Sequence, residues 1–86
     1  MALQAIRAVL RTKENCSLCH KAEGVLRRIA RDVPLDLEVD QVDEDSPLAA
    51  RVPIVEIGGV EAQAGKVSEF RLRNWLKERG YPDAAR

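Results

Sequence analysis

Cys16 and Cys19 carry the strongest chemical signal in the chain, in the run Cys16-Ser17-Leu18-Cys19-His20. A separation of three places the two sulfurs within reach of one disulfide when a helix carries them. The pair is too close in sequence to staple distant parts of a fold, so a reactive or metal-binding role fits better than a structural bridge. The attacking species in thiol–disulfide exchange is the thiolate, and the unpaired N–H groups of a helix N-terminus stabilise it. Cys16, at the start of the helix read below, is the expected nucleophile. Cys19, one turn further in on the apolar stripe, is the expected resolving thiol. Lys13 is close enough in sequence to add a favourable charge.

Other chemistries use the same residue types. Two inert thiols are the bland alternative, yet Cys16 falls at a helix start after an unpatterned loop, with no packing reason to be cysteine. Cys16-Ser17-Leu18-Cys19-His20 also spells a c-type haem attachment string. The only methionine is Met1, so no obvious methionine offers a second axial ligand. For zinc, Cys16, Cys19 and His20 supply three ligands, and the chain has no further Cys or His to complete a tetrahedron, which leaves a site shared across a dimer. His20 reads otherwise as a surface residue of the first helical turn.

The elements around the pair follow from periodicity. Ala5 to Arg11 reads as a strand covered on both sides, with Ile6, Ala8 and Leu10 on one face and Val9 on the other. Asn15 is the expected cap of a helix over residues 16–32, whose stripe is Cys19, Ala22, Val25, Leu26, Ile29 and Ala30. Val33-Pro34 stops it. Leu35 to Val42 alternates Leu35, Leu37 and Val39 against Asp36, Glu38 and Asp40, the pattern of a half-buried strand whose acidic outer face suits a sheet edge. Ser46 to Ala50 suggests one helical turn. Val52–Ile57 and Val60–Ala64 flank Gly58-Gly59, a hairpin signal. Ser68 caps the last helix, with Val67 and Leu72 as a hydrophobic staple and Leu72, Trp75 and Leu76 on one face. Phe70 lies off that face. Gly80 ends the helix, and a loose tail is expected from about residue 81.

The predicted order is β-α-β-β-β-α: an α/β fold with a four-stranded mixed sheet flanked by helices, in one domain spanning residues 1–86. Fourteen Lys/Arg balance fourteen Asp/Glu, so net charge argues for neither nucleic acid nor acidic lipid as a partner. The charges are segregated: residues 1–31 hold seven Lys/Arg and two Asp/Glu, and residues 32–45 hold seven Asp/Glu and no Lys/Arg. That acidic stretch reads as a solvated edge. No apolar run has membrane-spanning length and no signal peptide is read, so the cytosol, where thiols stay reduced, is the expected compartment.

With these residues in view, the chain resembles the glutaredoxin-like proteins of the thioredoxin superfamily, more closely the short bacterial ones with poorly defined partners, over roughly residues 5–79. Three features carry the resemblance: Thr12-Lys13-x-x-Cys16-x-x-Cys19, the acidic Val42-Asp43-Glu44-Asp45, and Arg51-Val52-Pro53 at the third strand. It implies a thioredoxin-like fold and a cis Val52–Pro53 bond facing the cysteines. It also implies that the Val52 backbone pairs with an extended substrate, and that Lys13 meets a glutathione carboxylate. The chain departs from the glutaredoxin pattern at Ser17 and Leu18, which replace Pro and Tyr, and at Arg51, which replaces Thr. The glutathione-binding Gly-Gly/Asp segment appears only as Ala64-Gly65-Lys66-Val67-Ser68. Carboxylate recognition would then rest on Lys13, Arg51, Gly65 and the amides near Ser68, giving weak and salt-sensitive glutathione binding.

The expected function is that of a dithiol–disulfide oxidoreductase, with Cys16 and Cys19 catalytic and with protein disulfides or glutathione as partners. No metal or tightly bound cofactor is expected, glutathione is a candidate co-substrate, and a monomer is expected. The alternative is a non-catalytic module that presents the Val52–Pro53 edge, or a shared zinc site at the cysteine pair, to a protein partner.

Overall fold

A computed structural model describes residues 5–82. Strand β1 (Ile6–Thr12) leads into helix α1 (Ser17–Ile29) and strand β2 (Leu35–Gln41). A 3-10 turn (Pro47–Ala50), strands β3 (Ile54–Ile57) and β4 (Val60–Ala64), and helix α2 (Glu69–Glu78) follow. The sheet order is β2-β1-β3-β4, with β1 parallel to β2 and antiparallel to β3, and β3 antiparallel to β4. This is the mixed four-stranded α/β arrangement expected from the sequence.

The two sheet faces are built differently. Ala8 and Leu10 of β1 and their partners Ile57 and Val55 of β3 form the apolar face. Ala22, Val25, Leu26 and Ile29 of α1 and Leu72 and Leu76 of α2 pack on it. On the opposite face Val9 is buried between arginines. Arg11 donates to Asp40 of β2 and Glu56 of β3, and Arg7 donates to Glu38. Charge-assisted hydrogen bonds thus tie three strands together where no long helix lies. They also hold the Arg11 guanidinium above its ordinary pKa, through its hydrogen bonds to Glu56 first and Asp40 second.

Several local expectations are met. Gly58 (φ 61°) and Gly59 (φ 83°) form the two-residue hairpin turn in left-handed geometry. A Cβ on Gly58 would also meet the Tyr81 hydroxyl at 2.8 Å. Ser68 Oγ accepts the Arg71 N–H at 3.3 Å as the α2 cap, and Phe70 is 75% exposed. At the other end Gly80 (φ 81°) closes a Schellman motif: the Gly80 N–H bonds to Lys77 O at 3.0 Å and the Tyr81 N–H to Leu76 O at 3.0 Å.

Other expectations are corrected. Helix α1 ends at Ile29 rather than residue 32, because the Arg31 and Asp32 N–H groups turn back to Arg28 O and Ile29 O in tighter three-residue bonds before Pro34. Val39 is 41% exposed, unlike the half-buried Leu35 and Leu37 on the same face of β2. Leu35 and Leu37 pack against the core that α1 covers, and Val39 does not. Tyr81 is not part of a loose tail: it stacks on Trp75 with ring centroids 6.4 Å apart. Residues 83–86 lie outside the described residues. Among the described residues no helix is long and apolar enough to cross a membrane.

Two stability outcomes are expected. Leu26 is fully buried between α1 and the sheet, so Leu26→Ala should cost about 2–5 kcal/mol in urea unfolding. Glu69 accepts from Arg28 Nε at 2.8 Å and Arg73 Nε at 3.1 Å. These bonds, Arg28 first, hold its carboxyl below the ordinary glutamate value. A depressed native pKa contributes stability in full above the unfolded-chain value, and the contribution is lost as pH falls through the native one. Glu69→Gln should therefore lower the unfolding midpoint at neutral pH, and the difference from wild type should shrink through the acidic carboxylate range.

Candidate functional site

The cysteine pair sits where β1 ends and α1 begins, at the carboxyl ends of the two parallel strands. Asn15 does not cap the helix: it takes a left-handed φ of 57°, which asparagine tolerates, and makes the sharp turn into it. The cap is Cys16 itself, in extended geometry (φ −118°, ψ 102°). Its Sγ accepts the Cys19 backbone N–H at 3.2 Å, so the sulfur satisfies one of the orphan donors of the first turn. Cys16 and Cys19 are joined by a disulfide, with Cα atoms 5.2 Å apart.

The two cysteines differ in access. Cys19 is 3% exposed and belongs to a small apolar cluster with Val52 and Ile54. Cys16 is partly buried at the rim of that cluster, against which Val42, Leu48 and Ala64 also pack. A groove of about 600 Å³ opens over the pair, lined by Thr12, Lys13, Glu14, Asn15, Ser17, His20, Glu23 and Gln41 as well as both cysteines. Next to it, Glu14 and Gln41 also border a second hollow with Val42, Asp43 and Glu44. Leu18, between the cysteines, is 43% exposed.

The structure brings some of the expected site residues together and turns others away. Lys13 lines the groove, and Val52 is buried against Cys19. The Val52–Pro53 peptide bond is cis. Pro53 is fully buried, and its carbonyl accepts the Gly65 N–H at 2.7 Å, which brings Gly65 beside the turn. Arg51 donates instead to Glu61 across 2.6 Å. The Ser68 hydroxyl caps α2, and the Ser68 N–H donates to Gln63 Oε1 at 3.1 Å. Among the described residues, no three His, Cys, Asp or Glu side chains gather around a common centre.

Sequence reasoning missed Gln41, Glu61 and Gln63. Gln41 had a signal, since it ends the parallel strand next to β1, and ligands favour the carboxyl ends of such strands. Glu61 and Gln63 had none, because each matters through a partner distant in the fold or shifted in register.

The fold is similar to that of thioredoxin O2 from Arabidopsis thaliana, whose crystal structure is of the oxidized state. The TM-score is 0.57 at 21% identity, over 90% of this chain and 76% of that one. The molecule is thus a thioredoxin-like α/β protein with a Cys-x-x-Cys pair. Among curated proteins no match is found. Residues 7–77 match the family described as Glutaredoxin-like domain (DUF836), and the chain belongs to that family.

The asymmetry of exposure has a direct test. After reduction, iodoacetamide at neutral pH should modify Cys16 well before Cys19, as read by peptide mass spectrometry. Faster labelling of Cys19 would reverse the roles.

Proposed function

We propose that the protein is a dithiol–disulfide oxidoreductase. One observation carries the reading: Cys16, only partly buried, caps α1 through its sulfur, which accepts the Cys19 N–H, while Cys19 is shielded one turn below and bonded to it. A thiolate at Cys16 would receive that N–H as a charge-assisted hydrogen bond, together with the favourable end of the helix dipole.

In the reduced protein, the Cys16 thiolate attacks one sulfur of a partner disulfide. That S–S bond breaks, a mixed disulfide forms on Cys16, and the first partner thiolate leaves and takes a proton from water. Cys19, deprotonated, attacks Cys16 Sγ, the Cys16–Cys19 disulfide forms, and the second partner thiolate leaves. Two electrons pass from the pair to the partner, with no metal or organic cofactor in the cycle. The Val52 backbone would pair with an extended substrate chain, and Lys13 would add positive charge at the groove. A reducing cytosol is the setting in which a thiol reductant would return the pair to its starting state.

Cys19→Ser should leave the first step and remove the second. Expressed in cells and quenched in acid, that variant should accumulate mixed disulfides on non-reducing gels, and Cys16→Ser should accumulate few. Equal yields from both, or none from either, would remove the support for catalysis.

A further inference from the structure

His20 closes the Cys16-Ser17-Leu18-Cys19-His20 run, and the exchange cycle leaves it unused; giving it a role deepens that cycle and rests on the oxidoreductase reading. Its position is fixed by the start of α1. The His20 N–H donates to the Cys16 carbonyl at 3.2 Å, so His20 stands one turn above the cysteine that caps the helix. Helical side chains lean toward the N-terminus, which in α1 is toward Cys16. Both residues line the groove over the pair, and His20 is exposed. Among the described residues, its imidazole makes no hydrogen bond and no ion pair.

The charges around the groove give that imidazole work to do. Lys13 and Glu14, both from the β1–α1 loop, carry opposite charges and offset each other. Glu23 of α1 is neutralised by Arg27, whose Nε and Nη2 donate to its Oε2 at 3.0 and 2.7 Å. Strand β2 contributes the neutral Gln41, and Val52 and Ile54, which pack with Cys19, are apolar. Asp43 and Glu44 border the adjoining hollow with Glu14 and add only negative charge. The groove lining therefore offers a thiolate at Cys16 no surplus cation unless His20 is protonated. In the disulfide state the sulfur carries no charge, and an imidazolium beside it has no ion partner.

We infer that His20 is a further catalytic residue: as imidazolium it forms an ion pair with the Cys16 thiolate, keeps that nucleophile ionised at mildly acidic pH, and loses the pairing once Cys16 is bonded to another sulfur. Histidine is the side chain whose charge changes between about pH 5 and 8, so attack on a partner disulfide becomes coupled to pH in this range. A neighbouring cation raises the thiolate share of a cysteine. No bond to His20 forms or breaks, and the electrons move between sulfurs as in the cycle above.

The experiment compares reduced wild type, His20→Gln and His20→Lys between about pH 5 and 8, reading by peptide mass spectrometry the rate at which neutral iodoacetamide labels Cys16. At the acid end His20→Gln should fall about threefold behind wild type. That is the effect of one unit charge in water-like surroundings, less the lower nucleophilicity of a stabilised thiolate. The gap should close toward the alkaline end, where imidazole is neutral, and shrink in high salt. His20→Lys, charged throughout, should restore the wild-type rate at the acid end. Circular dichroism melts confirm that each variant is folded. No gap, a gap of the same size at every pH, or a gap that His20→Lys does not restore overturns the role of His20. The oxidoreductase reading is checked separately, by whether hydroxyethyl disulfide converts the reduced pair to the Cys16–Cys19 disulfide. If it does, that reading stands whatever His20 does; if it does not, the reading falls and the catalytic role of His20 falls with it.

Discussion

Burial of one face of α1 against the sheet holds the molecule together and aims its N-terminus at the same time. Ala22, Leu26 and Ile29 are fully buried, and Val25 nearly so. They meet β1 and β3 at Ala8, Leu10, Val55 and Ile57, so the helix cannot rotate without exposing apolar surface. That docking brings Cys19 over Val52 and Ile54, and the geometry of one helical turn then leaves Cys16 at the rim. The difference in access between the two sulfurs is thus a packing result. It needs no dedicated shielding residue.

The opposite sheet face meets the same problem by other means. A domain this small has few apolar residues to bury, and here only a 3-10 turn lies between β2 and β3. Arg11 spans β2, β1 and β3 through Asp40 and Glu56, and the arginines shield Val9. These side chains are between a quarter and two-fifths exposed, so the ion pairs contribute modestly to stability. Their larger effect is on identity: the acidic β2 edge is matched to this face and discourages pairing with another chain.

What could be read from the chain divides along the range of the interaction. Capping of α2 by Ser68, the Gly58-Gly59 turn and the stripe of α1 are set by neighbours within a few residues, and each was legible. Asn15 shows a limit within the local range, because asparagine suits both a cap and a left-handed turn; the outcome was decided by Cys16 taking the cap. Val39 shows the next limit. Its alternation with Glu38 and Asp40 is sound, but whether a helix covers it depends on where α1 crosses the sheet. Arg51 and Ser68 lie furthest from legibility. Their partners Glu61 and Gln63 are set by a register with a bulge at Ala62, and a strand read as strict alternation would put those two side chains on one face.

Cys16 serves as the cap of its own helix, and this ties the state of its sulfur to one backbone proton. Sulfur is a weak acceptor when neutral and a better one as thiolate. The bond from the Cys19 amide therefore strengthens or weakens with the charge on Cys16. Solvent exchange of that amide hydrogen, which requires the first turn of α1 to open, would be slowest in the thiolate form and faster once the sulfur is covalently bonded. A change in the charge or bonding of the Cys16 sulfur would in this sense also change the fraying of the helix, readable at a single amide without a label on either thiol.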